Sequence, residues 1–238
     1  MEFLLDSVDI REAKLVASWG VLRGVTLNPL ALHQHGLPTE EAVSVFAEFV
    51  DGPIFAATNK LDAVGIVAEA EVLRQVSEKV VLNVPLTAEG LRAIHEISQR
   101  GGKAAATLVY TVPQALLAAQ AGCAYICPFL GRNEDISEDG ASLMREMVGI
   151  YRNYALPTKV LATSLRHPLH VLQAARAGAH GAVCSLDVMD AMIRHPLTDL
   201  EIERDLMEWS TLHKPSVDQG WTRVGIEVAD EAHSPNEE

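Results

Sequence analysis

Cysteine is scarce in this chain. Its 238 residues carry three, Cys123, Cys127 and Cys184, too few for a disulfide framework. The Cys-x3-Cys pair has no histidine at zinc spacing and Cys127 falls inside an apolar run, so all three read as buried thiols. The nine histidines are scattered and no His-Glu-x-x-His occurs, so neither a metal nor another cofactor is expected. Basic residues are outnumbered, 19 against 32 acids, and the net charge of −13 excludes a general nucleic-acid or anionic-membrane surface while leaving room for a local phosphate pocket. Long apolar runs are missing as well. None approaches membrane length, and the first residues carry Glu2 and Asp6 instead of a basic signal region, so the chain reads as soluble and cytoplasmic. Aromatics are only 5% within a hydrophobic fraction of 48%, which points to a core of Val, Leu, Ile and Ala.

Against these absences stands one regular feature. Short apolar β-branched runs alternate with helical patterns from end to end. Strands are expected at residues 2–7, 24–29, 53–58, 79–86, 103–110, 125–130, 159–165 and 181–186, each followed by an amphipathic helix. Eight strand–helix units with short connections point to a single (β/α)8 TIM barrel over residues 1–196. No Gly-x-Gly-x-x-Gly follows the first strand, which argues against a dinucleotide fold. Residues 197–217 follow as a C-terminal helix with apolar Leu200, Ile202, Leu206 and Trp209 among charged neighbours, a pattern that seeks a partner surface. Residues 218–238 are acidic, with Gly, Ser and Pro, and read as a short disordered tail.

The fourth unit stands out. Val80-Val81-Leu82 continues into Asn83-Val84-Pro85, and Thr87 then fits a helix N-cap ahead of Leu91, Ile94 and Ile97. Asn83 is the one polar residue in a buried run. That placement is costly unless the amide is hydrogen-bonded or faces a site, and in a (β/α)8 barrel the site lies at the C-terminal ends of the strands.

The run resembles the fourth strand of the small transaldolases and fructose-6-phosphate aldolases, Val-Val-Lys-Val-Pro-x-Thr-x-Glu-Gly-Leu. In that family the lysine forms a Schiff base with the ketose donor; here Asn83 occupies its place, and an amide nitrogen cannot form an imine. The resemblance extends over about residues 1–215. Gly-Val-Thr-Leu-Asn-Pro on the second strand supplies Asn28, Leu-Asp on the first supplies Asp6, and the fifth supplies Thr107. The sixth reads Tyr-Ile-Cys-Pro-Phe-Leu-Gly-Arg, with Cys127, Phe129 and Arg132; the seventh ends Thr-Ser-Leu-Arg, with Ser164 and Arg166; the eighth ends at Asp187.

The resemblance implies that Arg132, Ser164 and Arg166 bind a substrate phosphate, a chemistry suited to guanidinium and hydroxyl groups. It places Asp6 and Asn28 on substrate hydroxyls and proton transfer, and Thr107 on the catalytic water. It also implies losses: Ala57 stands for a glutamine and Phe129 for the acid–base tyrosine. Lys60, on the loop after the third strand, is a surrogate nucleophile by location alone and otherwise reads as a solvated charge. Three functions remain open on this reading: an aldolase or transaldolase, a barrel enzyme that enolises or isomerises a phosphorylated ketose without an imine, and a non-catalytic sugar-phosphate binder. The family's C-terminal helix reaches across a pentameric ring, two rings often forming a decamer, so a homo-oligomer is implied; a lone helix packed on its own barrel is the alternative.

Overall fold

The structure, a computed structural model, describes residues 1–212. Eight parallel strands pair in sequence order and close into a barrel. The order is β1 (Glu2–Asp6), α1 (Ile10–Ser18), β2 (Leu22–Leu27), α2 (Pro29–Gln34), α3 (Thr39–Ala47), β3 (Ile54–Ala57), α4 (Ala63–Val76), β4 (Val80–Pro85) and α5 (Ala88–Gln99). It continues with β5 (Ala104–Val109), α6 (Val112–Gln120), β6 (Tyr125–Pro128), α7 (Leu130–Asp135), α8 (Gly140–Asn153), β7 (Lys159–Ala162), α9 (Pro168–Ala177), β8 (Gly181–Cys184) and α10 (Leu186–Ile193). The expected (β/α)8 barrel is therefore what the chain forms.

Local chemistry explains the boundaries. Thr87 caps α5 by accepting the Gly90 N–H at 2.9 Å, as its position before the apolar repeat suggests. Asp9, Asp62 and Asp139 cap α1, α4 and α8 in the same way, and Thr111 with Gln114 forms a full capping box on α6. Two short helices differ from the sequence expectation. α2 begins at Pro29 because Asn28 accepts the Leu30 N–H at 2.9 Å and Pro29 has a preset φ. α7 takes Leu130, read from sequence as the end of a strand, because the chain turns after Pro128 and the Leu130 N–H donates to the Thr163 carbonyl at 3.1 Å.

The barrel interior follows the two-residue period of its strands. Leu4, Phe55, Val81, Ala105, Cys127, Leu161 and Val183 form one buried cluster inside it. At the N-terminal end Lys159 pairs with Glu2 at 3.1 Å, and Lys79 Nζ donates to the Ala47 and Val50 carbonyls at 2.9 and 2.7 Å. These lysines close the bottom of the barrel. The outer strand faces bury Leu27, Ile54, Leu82 and Ile126 against the helices, where Phe46, Ile66, Ile94 and Met144 are buried in turn.

Residues 1–194 form one compact unit, and a second begins at His195. It contains α11 (Pro196–Leu212), on which Leu197, Leu200, Ile202, Leu206 and Met207 are exposed. The 218–238 segment expected to be disordered lies outside the described residues. No helix among the described residues is long and apolar enough to cross a membrane.

Candidate functional site

One step beyond the buried layer, the inward positions stop being apolar. The register pairs Ala57 with Asn83 and Asn83 with Ala105, so Asn83 shares the inward face of Val81 two residues earlier. A cavity of about 280 Å³ opens there, at the C-terminal ends of the strands. It brings together Asp6, Asn28, Ala57, Asn83, Thr107, Cys127, Phe129, Arg132 and Ser164. Thr26 and Thr163 line it too. The sequence reading passed over both, although Thr26 lies two residues before Asn28 and so shares its face. Thr163 is already engaged, donating to the Pro128 carbonyl at 2.8 Å.

Each group has a definite chemical state. The Asn83 Oδ1 atom is enclosed with no hydrogen-bond partner among the described residues. Such a group costs about 1–3 kcal/mol, so the wall of the site carries an unmet polar demand. Asn28 spends its Oδ1 on the cap of α2 and keeps only its amide N–H groups for a ligand. Burial pushes the Cys127 thiol up to about 12, which leaves it protonated and unreactive at neutral pH. Burial, aided by the Asp6 charge, does the same to Cys184.

Asp6 opens to the cavity yet is ringed by protein, and that desolvation raises its pKa above the ordinary 3.8. A carboxylate with a raised folded pKa favours folding below its unfolded pKa, and this contribution is lost as pH rises through the folded value. Asp6→Asn should therefore melt at a higher temperature than the parent at pH 7, with the gain vanishing below pH 3.8. Thermal melts across that range check it; an equal gain at every pH would place its cause elsewhere.

Arg132 holds its guanidinium 5.0 Å from the centroid of the Phe129 ring, which stacks on Tyr110 at 5.8 Å. It makes no direct ion pair among the described residues, although its charge helps lower the Asp135 carboxyl, and it lines the cavity. Ser164 has a φ of 59°, the left-handed region, and its backbone sits directly against Gly131, the residue before Arg132.

Two of the residues singled out from sequence, Arg166 and Asp187, do not line the cavity. Arg166 forms a two-pronged ion pair with Asp135 at the surface, and that carboxylate holds its guanidinium charged while the guanidinium keeps Asp135 below the usual carboxylate range. Asp187 lies exposed in the first turn of α10 and, with Arg166 and Ser185, borders a separate depression. Arg166 Nε nevertheless stays next to Ser164 at Gly131, while Asp187 follows the start of α10 at Leu186. Lys60 is exposed on its loop with its backbone N–H on Thr58 Oγ1, and no lysine lines the cavity among the described residues. No three His, Cys, Asp or Glu side chains among the described residues converge on a metal position.

Comparison with known proteins points one way. The family model Transaldolase/Fructose-6-phosphate aldolase matches residues 3–232. A protein of Hydrogenobaculum sp. named "Probable transaldolase" is 41% identical over 216 residues, covering 90% of this chain and 100% of its own length. Proteins of the same name from Caldicellulosiruptor saccharolyticus and Aquifex aeolicus are each 42% identical, covering 90% and 88% of this chain and 99% and 96% of their own lengths.

Proposed function

The chain belongs to the transaldolase/fructose-6-phosphate aldolase family, and from that membership we propose that its barrel mouth binds a phosphorylated sugar without forming an imine. The observation that carries the reading is Asn83, an amide on the wall of the cavity with no lysine among the described lining residues. The other features agree. Arg132 is an unpaired cation beside the Ser164 hydroxyl, a combination suited to a phosphate monoester. Asp6, Asn28 and Thr107 offer the acceptor, amide donors and hydroxyl that sugar hydroxyls require. Ala57 and Phe129 contribute no proton relay, and without an imine none is needed. Arg166 holds Asp135 with Nη1 and Nη2, and its Nε–H stays on the Gly131 and Ser164 side, available to the same phosphate.

Calorimetric titration with fructose 6-phosphate tests the reading. Arg132→Ala should weaken binding by about 10-fold or more, the loss of a charge-assisted contact. Unchanged affinity would remove Arg132 from the phosphate position and overturn the proposal.

One observation favours a second, catalytic reading. Asp6 is a carboxyl with a raised pKa in the same cavity as Asn83, and such a group is fit to exchange a proton with the carbon next to a ketose carbonyl. Asn83 would then donate to the enediolate oxygen. Deuterium exchange at that carbon of a ketose phosphate, lost in Asp6→Asn, is the expected result; no exchange across a panel of ketose phosphates retires this reading and leaves binding. The exposed apolar residues of α11 support a homo-oligomer, pentameric or decameric by family likeness, and sedimentation at micromolar concentration would separate that from a monomer. We place the protein in the cytoplasm.

A further inference from the structure

Besides the Leu130–Thr163 backbone hydrogen bond, three contacts join α7, which carries Arg132, to the segment after β7, which carries Ser164. Gly131 packs on the Ser164 backbone, Asp135 pairs with Arg166, and Glu134 meets His170. The third is the buried one. His170 is only 2% exposed, and both its ring nitrogens are occupied. Its Nδ1 accepts the Arg166 backbone N–H at 3.1 Å, so its proton sits on Nε2, which donates to Glu134 Oε2 at 2.8 Å. The His167 ring lies against it at 3.7 Å between centroids.

We propose that His170 is a positioning residue for the anion site. It bridges the backbone two residues beyond Ser164 to the carboxylate two residues beyond Arg132, and so sets the separation of the hydroxyl and the guanidinium. It touches no ligand. An exposed ion pair such as Arg166–Asp135 contributes little and is broken by salt, whereas a buried imidazole with both nitrogens bonded fixes geometry in one orientation. The proposal rests on reading Arg132 and Ser164 as a phosphate site, and two separate readouts keep the two ideas apart.

The first readout needs no ligand. Amide hydrogen exchange on the full chain should quicken at α7 and at Arg166 in Glu134→Ala, and in His170→Gln, which retains a donor near the Nε2 position but lacks the Nδ1 acceptor. Unchanged exchange in both variants overturns the clamp whatever the protein binds. The second readout is titration with fructose 6-phosphate. Removing an acid near Arg132 would by charge alone strengthen anion binding; Glu134→Ala should instead weaken it by about fivefold, and Glu134→Gln, which keeps an acceptor for Nε2–H, should restore most of it. The Glu134→Ala effect should also vanish in a His170→Asn background, where an acceptor near Nδ1 remains but the link to Glu134 is already cut. Faster exchange with unchanged affinity would show a structural bridge and overturn the positioning role. Faster exchange in a protein that binds no phosphate ester, parent included, would overturn the anion-site reading itself.

Discussion

Asn83→Lys is expected to convert a protein that traps no ketose into one that forms a single covalent adduct. Position 83 lies on the inward face near the C-terminal end of β4, and Phe55, Cys127, Leu161 and Val183 line the cavity around it. A lysine there would be partly enclosed and would share the cavity with the Arg132 cation, and desolvation together with a like charge lowers an amine's pKa toward the range where the neutral nucleophile is populated. With dihydroxyacetone and borohydride, the Asn83→Lys chain should gain one reduced three-carbon adduct mapping to residue 83, and the parent none. An adduct on the parent, at Lys60 or elsewhere, would overturn the view that this site has no nucleophile. Turnover should stay low in the single variant. Phe129 has no hydroxyl to shuttle a proton and Ala57 cannot hold a water, so aldol cleavage should appear only when Phe129→Tyr and Ala57→Gln are added. The adduct tests the nucleophile alone, and the triple variant tests the relay.

The imine expectation came from the resemblance of the fourth-strand motif; that residue 83 faces the site was legible because Asn83 interrupts an otherwise apolar run, and strand alternation settles which way it faces. The eight strands were legible for the same reason. Each is a short β-branched or Ala-rich run bounded by glycine, proline or a capping residue. What escaped was what happens just past the strand ends. α2 and α7 are six residues each, too short to show a 3.6-residue period, and they depend on an Asn28 cap and on a hydrogen bond from Leu130 to β7's end. Arg166 and Asp187 were read as site residues from the resemblance of their motifs; neither lines the cavity, Arg166 being paired with Asp135 and Asp187 lying in the first turn of α10. A carboxylate thirty-one residues away, Asp135, claims Arg166, and nothing in linear spacing announces such a pair. His170 was unremarkable in sequence for the same reason: its partners lie on two other segments.

The second large effect is expected at Gly131→Ala. Gly131 is the second residue of α7, and its constraint is space: a Cβ there would come within 3.0 Å of the Ser164 carbonyl oxygen, a separation real Cβ atoms essentially never show. That neighbour is backbone and cannot rotate away. The Leu130 N–H is bonded to the Thr163 carbonyl and Ser164 is held in the left-handed region, so neither strand end has slack to open the gap. Forcing it should cost about 2–4 kcal/mol by urea unfolding, in the range of an overpacked core. The control is Gly149→Ala in α8, where a Cβ meets nothing within 4 Å; there the methyl should stabilise by about 0.5–1 kcal/mol through helix propensity. The functional consequence separates two views of the cavity. If Arg132 and Ser164 grip one phosphate, the displacement of α7 in Gly131→Ala must also weaken fructose 6-phosphate binding by about 10-fold or more under conditions where the variant stays folded. If stability falls while affinity holds, the arginine and the hydroxyl do not share a ligand, and Gly131 serves only to let two loops meet.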